Sequence, residues 1–161
     1  MSKLMNEYVN IIKSDIVLPQ YDELWNDVNP LLNGGTPKPV LVLVNKYADN
    51  SPEPVQLQKM LDACKLTADQ YNVVQLAEGQ YAAWHQLRTA LNPKIIFMIG
   101  VLPAQLGISA MFQLNGPNRF SDCIWLPTLS LSALEQQADV KKHLWGNGMK
   151  PILVDKAYGD F

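Results

Sequence analysis

Asn92-Pro-Lys-Ile-Ile-Phe-Met-Ile-Gly100 is the stretch that decides the fold. Ile95 to Ile99 form an unbroken apolar run and leave no position for a solvent-facing side. Such a run reads as a strand buried on both faces, as in a parallel sheet. Asn92-Pro93 stops the segment before it, because proline lacks a backbone donor and crowds the preceding turn.

Working outward, Val40-Leu-Val-Leu-Val44 is a second buried run, and Cys123-Ile-Trp-Leu126 another. Tyr71 to Leu76 reads as a strand with Val73 and Val74 at its centre. Between these runs the period changes. Ser51-Pro52 gives a helix start, and Leu57, Met60, Leu61 and Cys64 follow helical spacing. Thr67 to Gln70 has a capping-box pattern and predicts a helical turn. Residues 79–91 read as a helix with Trp84, Leu87 and Leu91 on one side. Pro103 opens a short helical turn ending near Gly107. Met111 to Leu114 reads as a short strand, and Asn115-Gly-Pro-Asn118 as a turn. Residues 133–145 read as a helix capped by Ser132 and Glu135. Its last turn carries Lys141, Lys142 and His143, where positive charge suits the helix dipole. Gly146 and Gly148 are expected to end it. Pro151-Ile-Leu-Val154 adds an edge strand or simply packs. Trp84, Trp125 and Trp145 read as core.

Strands alternating with helices give an α/β class. The expectation is a three-layer sandwich around a mainly parallel sheet of about four strands, spanning 39–161. Residues 1–38 differ. Leu4, Tyr8, Ile11 and Ile12 suggest a short amphipathic helix, and repeated Pro and Gly then break the chain. This stretch reads either as an arm reaching a partner or as a helix docked on its own domain. Its partner-binding candidates are Tyr21, Leu24, Trp25 and Leu31. Trp25, in a polar, proline-broken stretch, is the favoured anchor.

Composition narrows the functions. The net charge is −2, and the basic residues are scattered except for Lys141-Lys142-His143. Proteins that live on phosphate contacts carry a basic face, so direct nucleic-acid binding is expected to be weak or absent. Charged residues are 17% of the chain, which hints that part of the surface is covered by another molecule. Cys64 and Cys123 lie in apolar segments and read as core thiols. With two histidines far apart, no metal or cofactor is expected. The first 15 residues lack the apolar core of a signal peptide, and no run of about 18 apolar residues occurs, so the expected location is cytoplasmic.

Motif searches stop short of chemistry. Gly34-Gly35 with Lys38 precedes a strand, whereas a phosphate loop must follow one. G-x-G-x-x-G is absent after the Gly100 strand. Ser109 and Ser130 lack the glycine frame of a nucleophile elbow.

Four blocks in order nevertheless resemble the uracil-DNA glycosylase superfamily over roughly residues 38–148. Leu41-Val-Leu-Val-Asn-Lys-Tyr-Ala-Asp49 looks like its first strand and G-E-A-P-G-type loop. Leu57 to Leu76 looks like the next helix and strand. Asn92 to Gly100 is similar to its P-K-V-I-V-x-L-G strand. Leu126-Pro-Thr-Leu-Ser-Leu-Ser-Ala-Leu134, with Asp139 to Trp145, resembles its P-T-x-H-P-S-x-L block and closing helix. The resemblance places a base pocket at Asn45, Lys46, Tyr47, Asp49, Gln75 and Ser130, with Asn72 an alternative to Gln75. At the position of the family's water-handling acid or amide stands Lys46, normally protonated. At the position of its histidine stands Ser130, a weaker stabiliser of developing charge. Base excision needs both parts. The expectation is therefore a non-catalytic member with no catalytic residues.

Met60-Leu-Asp-Ala-Cys-Lys-Leu-Thr-Ala-Asp-Gln70 and the closing segment also resemble the psi-subunit family of the bacterial DNA polymerase III clamp-loader assembly. That resemblance implies a protein-binding accessory role in DNA replication, with a clamp-loader or single-strand-binding protein as partner. Two alternatives stay open. One is a divergent base-excision enzyme with Asp49 as acid. The other is a nucleotide or small-ligand module lined by Lys46, Tyr47 and Gln75.

Overall fold

The computed structural model of the chain describes Leu32 and residues 35–161. The helix expected near the N-terminus and the candidate anchors Tyr21, Leu24, Trp25 and Leu31 lie outside the described residues.

The sheet has five strands: β1 (Val40–Asn45), β2 (Tyr71–Leu76), β3 (Ile95–Ile99), β4 (Asn118–Phe120) and β5 (Cys123–Thr128). Their order is β2-β1-β3-β5-β4. The four long strands are parallel, and β4 pairs antiparallel with β5. Alternation along each strand divides the apolar residues between two faces. Val42, Val44, Phe97, Ile99 and Leu126 point to one core. Leu41, Leu43, Ile96, Met98 and Trp125 point to the other. That is why Ile95–Ile99 tolerates no polar residue: every position is interior.

Helices cover both faces. α1 (Glu53–Ala63) buries Leu57, Met60 and Leu61 on the first core. So do α3 (Leu131–Gln136) and α4 (Ala138–Leu144), through Leu131, Leu134 and Leu144. α2 (Trp84–Leu91) buries Trp84, Leu87 and Leu91 on the second. It ends at Asn92, whose left-handed φ of 43° precedes Pro93. A 3-10 turn, Pro103–Leu106, closes on Gly107 as the sequence predicts. Cys64 and Cys123 are free and buried, and burial pushes the Cys64 thiol up to about 12. Among the described residues, no helix is long and apolar enough to cross a membrane.

Several local expectations give way to packing. Met111–Leu114 is not a strand; the short strand is β4, joined to β5 through Ser121 and Asp122, both at positive φ. Two successive positive φ values mark a primed hairpin turn, usually signalled by Asn-Gly, so Ser-Asp hides it. Thr67–Gln70 makes a turn without a helix, though Gln70 Oε1 still accepts from the Thr67 N–H at 2.9 Å. The helix expected over 133–145 starts at Leu131 and breaks at Gln137. Its cap is Ser130, not Ser132: Ser130 Oγ accepts from the Ala133 N–H at 3.3 Å. Starting there puts Leu131 and Leu134 three apart on the core side. Gly146 and Gly148 do not stop the chain, which continues as a wide π-type helix, Trp145–Val154. Gly148 lies in close approach to β5, since a Cβ would meet Leu126 Cδ1 at 2.5 Å and force that side chain to shift. Pro151 to Val154 packs in this helix and adds no strand.

Trp125 organises the second core. It is fully buried, stacks edge-on with Trp84 at 4.7 Å, and donates its indole N–H to the Phe120 carbonyl at 2.9 Å. It thereby ties α2, β4 and β5 together. Trp125→Ala is expected to lower stability by about 3–5 kcal/mol, read as a drop in the urea midpoint.

Candidate functional site

Ligands of open α/β sheets sit outside the carboxyl ends of the strands, where strand order reverses. Here the chain runs from β1 out to β2, then crosses back past β1 to β3. The ends to inspect are therefore those of β1, β3 and, beside it, β5.

These ends converge on Gly100. Its φ is +76°, and a Cβ there would meet Asn45 Oδ1 at 1.9 Å and Ser130 Cα at 2.9 Å. Asn45 Nδ2 donates to the Gly100 carbonyl at 3.0 Å, and the Gly100 N–H donates to the Thr128 carbonyl at 3.0 Å. Three of the blocks that carry the family resemblance thus meet at one point. Asn45 and Ser130 come together there. The remaining pocket candidates do not join them. Lys46 and Asp49 are exposed, and the Lys46 N–H donates to the Leu76 carbonyl at 3.0 Å, towards β2. The Tyr47 N–H donates to Gln75 Oε1 at 3.2 Å, and Tyr47 packs on the first core. Asn72 lies at the amino half of β2, where its Nδ2 donates to the Thr36 carbonyl at 2.8 Å.

Between the ends of β3 and β5 opens a cleft of about 710 Å³. Gly100, Thr128 and Ser130 form its floor, and Leu102, Ile108, Met111, Phe112 and Leu114 its walls. Leu102 is 64% exposed, Met111 97% and Leu114 51%. Solvent-facing apolar side chains this close together mark a contact surface more often than chance. Polar groups around the floor are already engaged. Thr128 Oγ1 donates to Asn115 Oδ1 at 2.7 Å, and the Ser130 hydroxyl caps α3. Neither a carboxylate nor an imidazole is among the residues lining this cleft. His85 is exposed on α2, and His143 on α4 bonds Asn147. Among the described residues, no cluster of His, Cys, Asp or Glu could hold a metal.

Gln105 is the residue sequence reasoning missed. It is buried, accepts from the Leu102 N–H at 3.0 Å and donates to the Gln80 carbonyl at 3.0 Å. It locks the cleft wall after β3 to the loop after β2. A glutamine two residues after Pro103 carries no pattern that would single it out.

A second groove, about 860 Å³, runs between α1 and α3. Glu53, Lys59, Glu135 and Lys141 lie along it, so its rim is charged where the strand-end cleft is not. Tyr47 titrates above its ordinary value, first because it is partly buried and then because Asp49 and Glu53 disfavour the phenolate. Comparison with protein-family models and with curated proteins finds no match to this chain.

Gly100→Ala combines left-handed strain with a clash against backbone, and it is expected to cost about 2–4 kcal/mol in chemical denaturation. For Tyr47, the unfolded phenol ionises first, so its contribution to stability is present below pH ~10 and lost as pH rises through the raised folded value. Asp49→Asn is expected to bring the Tyr47 transition, followed by ultraviolet absorbance, part of the way back towards its ordinary value.

Proposed function

We propose that the chain is a non-catalytic, protein-binding accessory subunit built on a uracil-DNA glycosylase-like frame, of the kind that serves the DNA replication clamp-loader assembly. One observation carries this reading: the cleft at the ends of β3 and β5 offers Leu102, Met111 and Leu114 to solvent above a floor whose polar groups are already bonded within the chain. An excision site needs free polar groups aimed at a flipped base and at the attacking water. Here Asn45 holds the Gly100 carbonyl and Ser130 holds a helix start. Withdrawing either would break a partly buried hydrogen bond, at about 1 kcal/mol. A partner presenting apolar side chains needs no such withdrawal.

The glycosylase-like frame is supported by the meeting of Asn45, Gly100 and Ser130, one from each of three resembling blocks. The ligand-module alternative has less support, because the side-chain amide oxygen Oε1 of Gln75 already accepts from the Tyr47 backbone N–H. The excision alternative has less support too, because Asp49 is exposed and does not line the cleft.

The test uses immobilised clamp-loader assembly and, separately, single-strand-binding protein. The chain is expected to bind one of them, and Met111→Asp or Leu102→Asp is expected to weaken binding at least ~tenfold while leaving the melting temperature near that of the parent. Binding to neither, or uracil release from single-stranded DNA that is lost in Asp49→Ala, overturns the reading.

A further inference from the structure

The two edges of the sheet are built differently. β4 is three residues long, carries the exposed Arg119, and has its Phe120 carbonyl taken by the Trp125 indole. Short length and charge are the usual protection of an edge. β2 has neither. Tyr71-Asn-Val-Val-Gln-Leu76 is six residues long and contains no charge, proline or glycine.

Its inner side is fully paired. The Val40 N–H donates to the Gln70 carbonyl and the Lys46 N–H to the Leu76 carbonyl, so the even-numbered residues of β2 turn their backbone groups to β1. Tyr71, Val73 and Gln75 turn theirs outward. Among the described residues, no hydrogen bond reaches the outward N–H and C=O groups of these three. Such a row is a template for another strand.

We infer that a second copy of this chain pairs with β2, edge to edge and antiparallel, so that the two sheets become continuous across a two-fold axis. The sequence of the strand is self-complementary in that arrangement. With the axis at Val73, the outward groups of Val73 meet those of the partner's Val73, and Tyr71 meets the partner's Gln75. Each is then a hydrogen-bonded antiparallel pair. On the face that carries Tyr71 and Val73, the cross-strand neighbours are valine on valine and tyrosine on glutamine, with no like charges opposed.

The charges flanking the strand favour the same register. Lys38 lies over the amino end of β2, where its ammonium donates to the Ala68 carbonyl at 3.1 Å. The carboxyl end carries the exposed Glu78. A two-fold axis at Val73 sets Ala68 opposite the partner's Glu78, which brings Lys38 of each copy to the acid of the other. Asp69, at the Lys38 end, is engaged by the Thr67 hydroxyl, is itself stabilised by the nearby Lys38, and opposes the uncharged Ala77 of the partner, one residue from its Glu78. Parallel pairing would bring lysine to lysine and acid to acid. Symmetric closure of this kind is the commonest route to a homodimer. It uses an edge remote from the cleft between β3 and β5, so it stands independently of what that cleft binds.

Sedimentation of the full chain over a concentration series tests it. The wild type is expected to approach twice the chain mass as concentration rises. Val73→Lys, which opposes two ammonium groups at the axis, and Val73→Pro, which removes an outward N–H but no bond to β1, are each expected to weaken the dimer at least ~tenfold with circular dichroism unchanged. Lys38→Glu is expected to weaken it, and adding Glu78→Lys to restore it. A wild type that stays monomeric at every concentration overturns the inference. A dimer that keeps its affinity in both folded Val73 variants does so too, as does one that the charge exchange fails to restore. Should both Val73 variants misfold, the Lys38 and Glu78 exchange alone decides.

Discussion

The structure depends on one close contact, the packing of Asn45 and Ser130 against Gly100. Parallel strands deliver their carboxyl ends side by side, and the loops leaving them compete for the same space. Only a residue without a Cβ, held at positive φ, lets the Asn45 amide and the Ser130 backbone approach together. With that gap closed, β3 and β5 end at a common floor, with Asn45 of β1 bonded behind it to Gly100. The loop after β3 is then free to turn away through Pro103 and form a wall. The cleft is what remains between that wall and the segment from Ile108 to Leu114.

The same contact limits the chemistry. Asparagine, glutamine, serine and threonine at strand ends are the usual instruments of recognition and charge stabilisation. In this chain four of them act as clamps: Asn45 on Gly100, Gln75 on Tyr47, Thr128 on Asn115 and Ser130 on α3. Each bond stabilises a loop and removes one polar group from use by a ligand. What faces outward is apolar, with Met111 the most exposed large hydrophobic residue of the cleft. Methionine adapts its shape readily, which suits a surface that meets another protein.

Much of the fold was legible because the buried runs are unambiguous. Ile95–Ile99 and Val40–Val44 have a single physical reading, and the alternation of strands and helices follows from their spacing. The sites of failure were local. Ser130 and Ser132 present the same capping chemistry, and only the demand to bury Leu131 chooses between them. The β4–β5 hairpin turns at Ser121-Asp122, whose positive φ values no composition rule anticipates. Gly148 looked like a helix stop but serves a close approach to Leu126. Of the candidate pocket, Asn45 and Ser130 come together at Gly100, while Lys46 and Asp49 face solvent and Gln75 is engaged with Tyr47. The cleft itself was invisible in sequence, since Leu102, Met111 and Leu114 come together only after the loop beyond β3 has folded.

The most direct measurement is amide hydrogen exchange across the whole chain, with and without saturating clamp-loader assembly or single-strand-binding protein. The account predicts slowed exchange concentrated between Val101 and Leu114 and at Leu129 to Ala133, the segments that frame the cleft. Unchanged exchange there with both proteins, or protection of the Lys46–Asp49 loop by single-stranded DNA containing uracil, would contradict it.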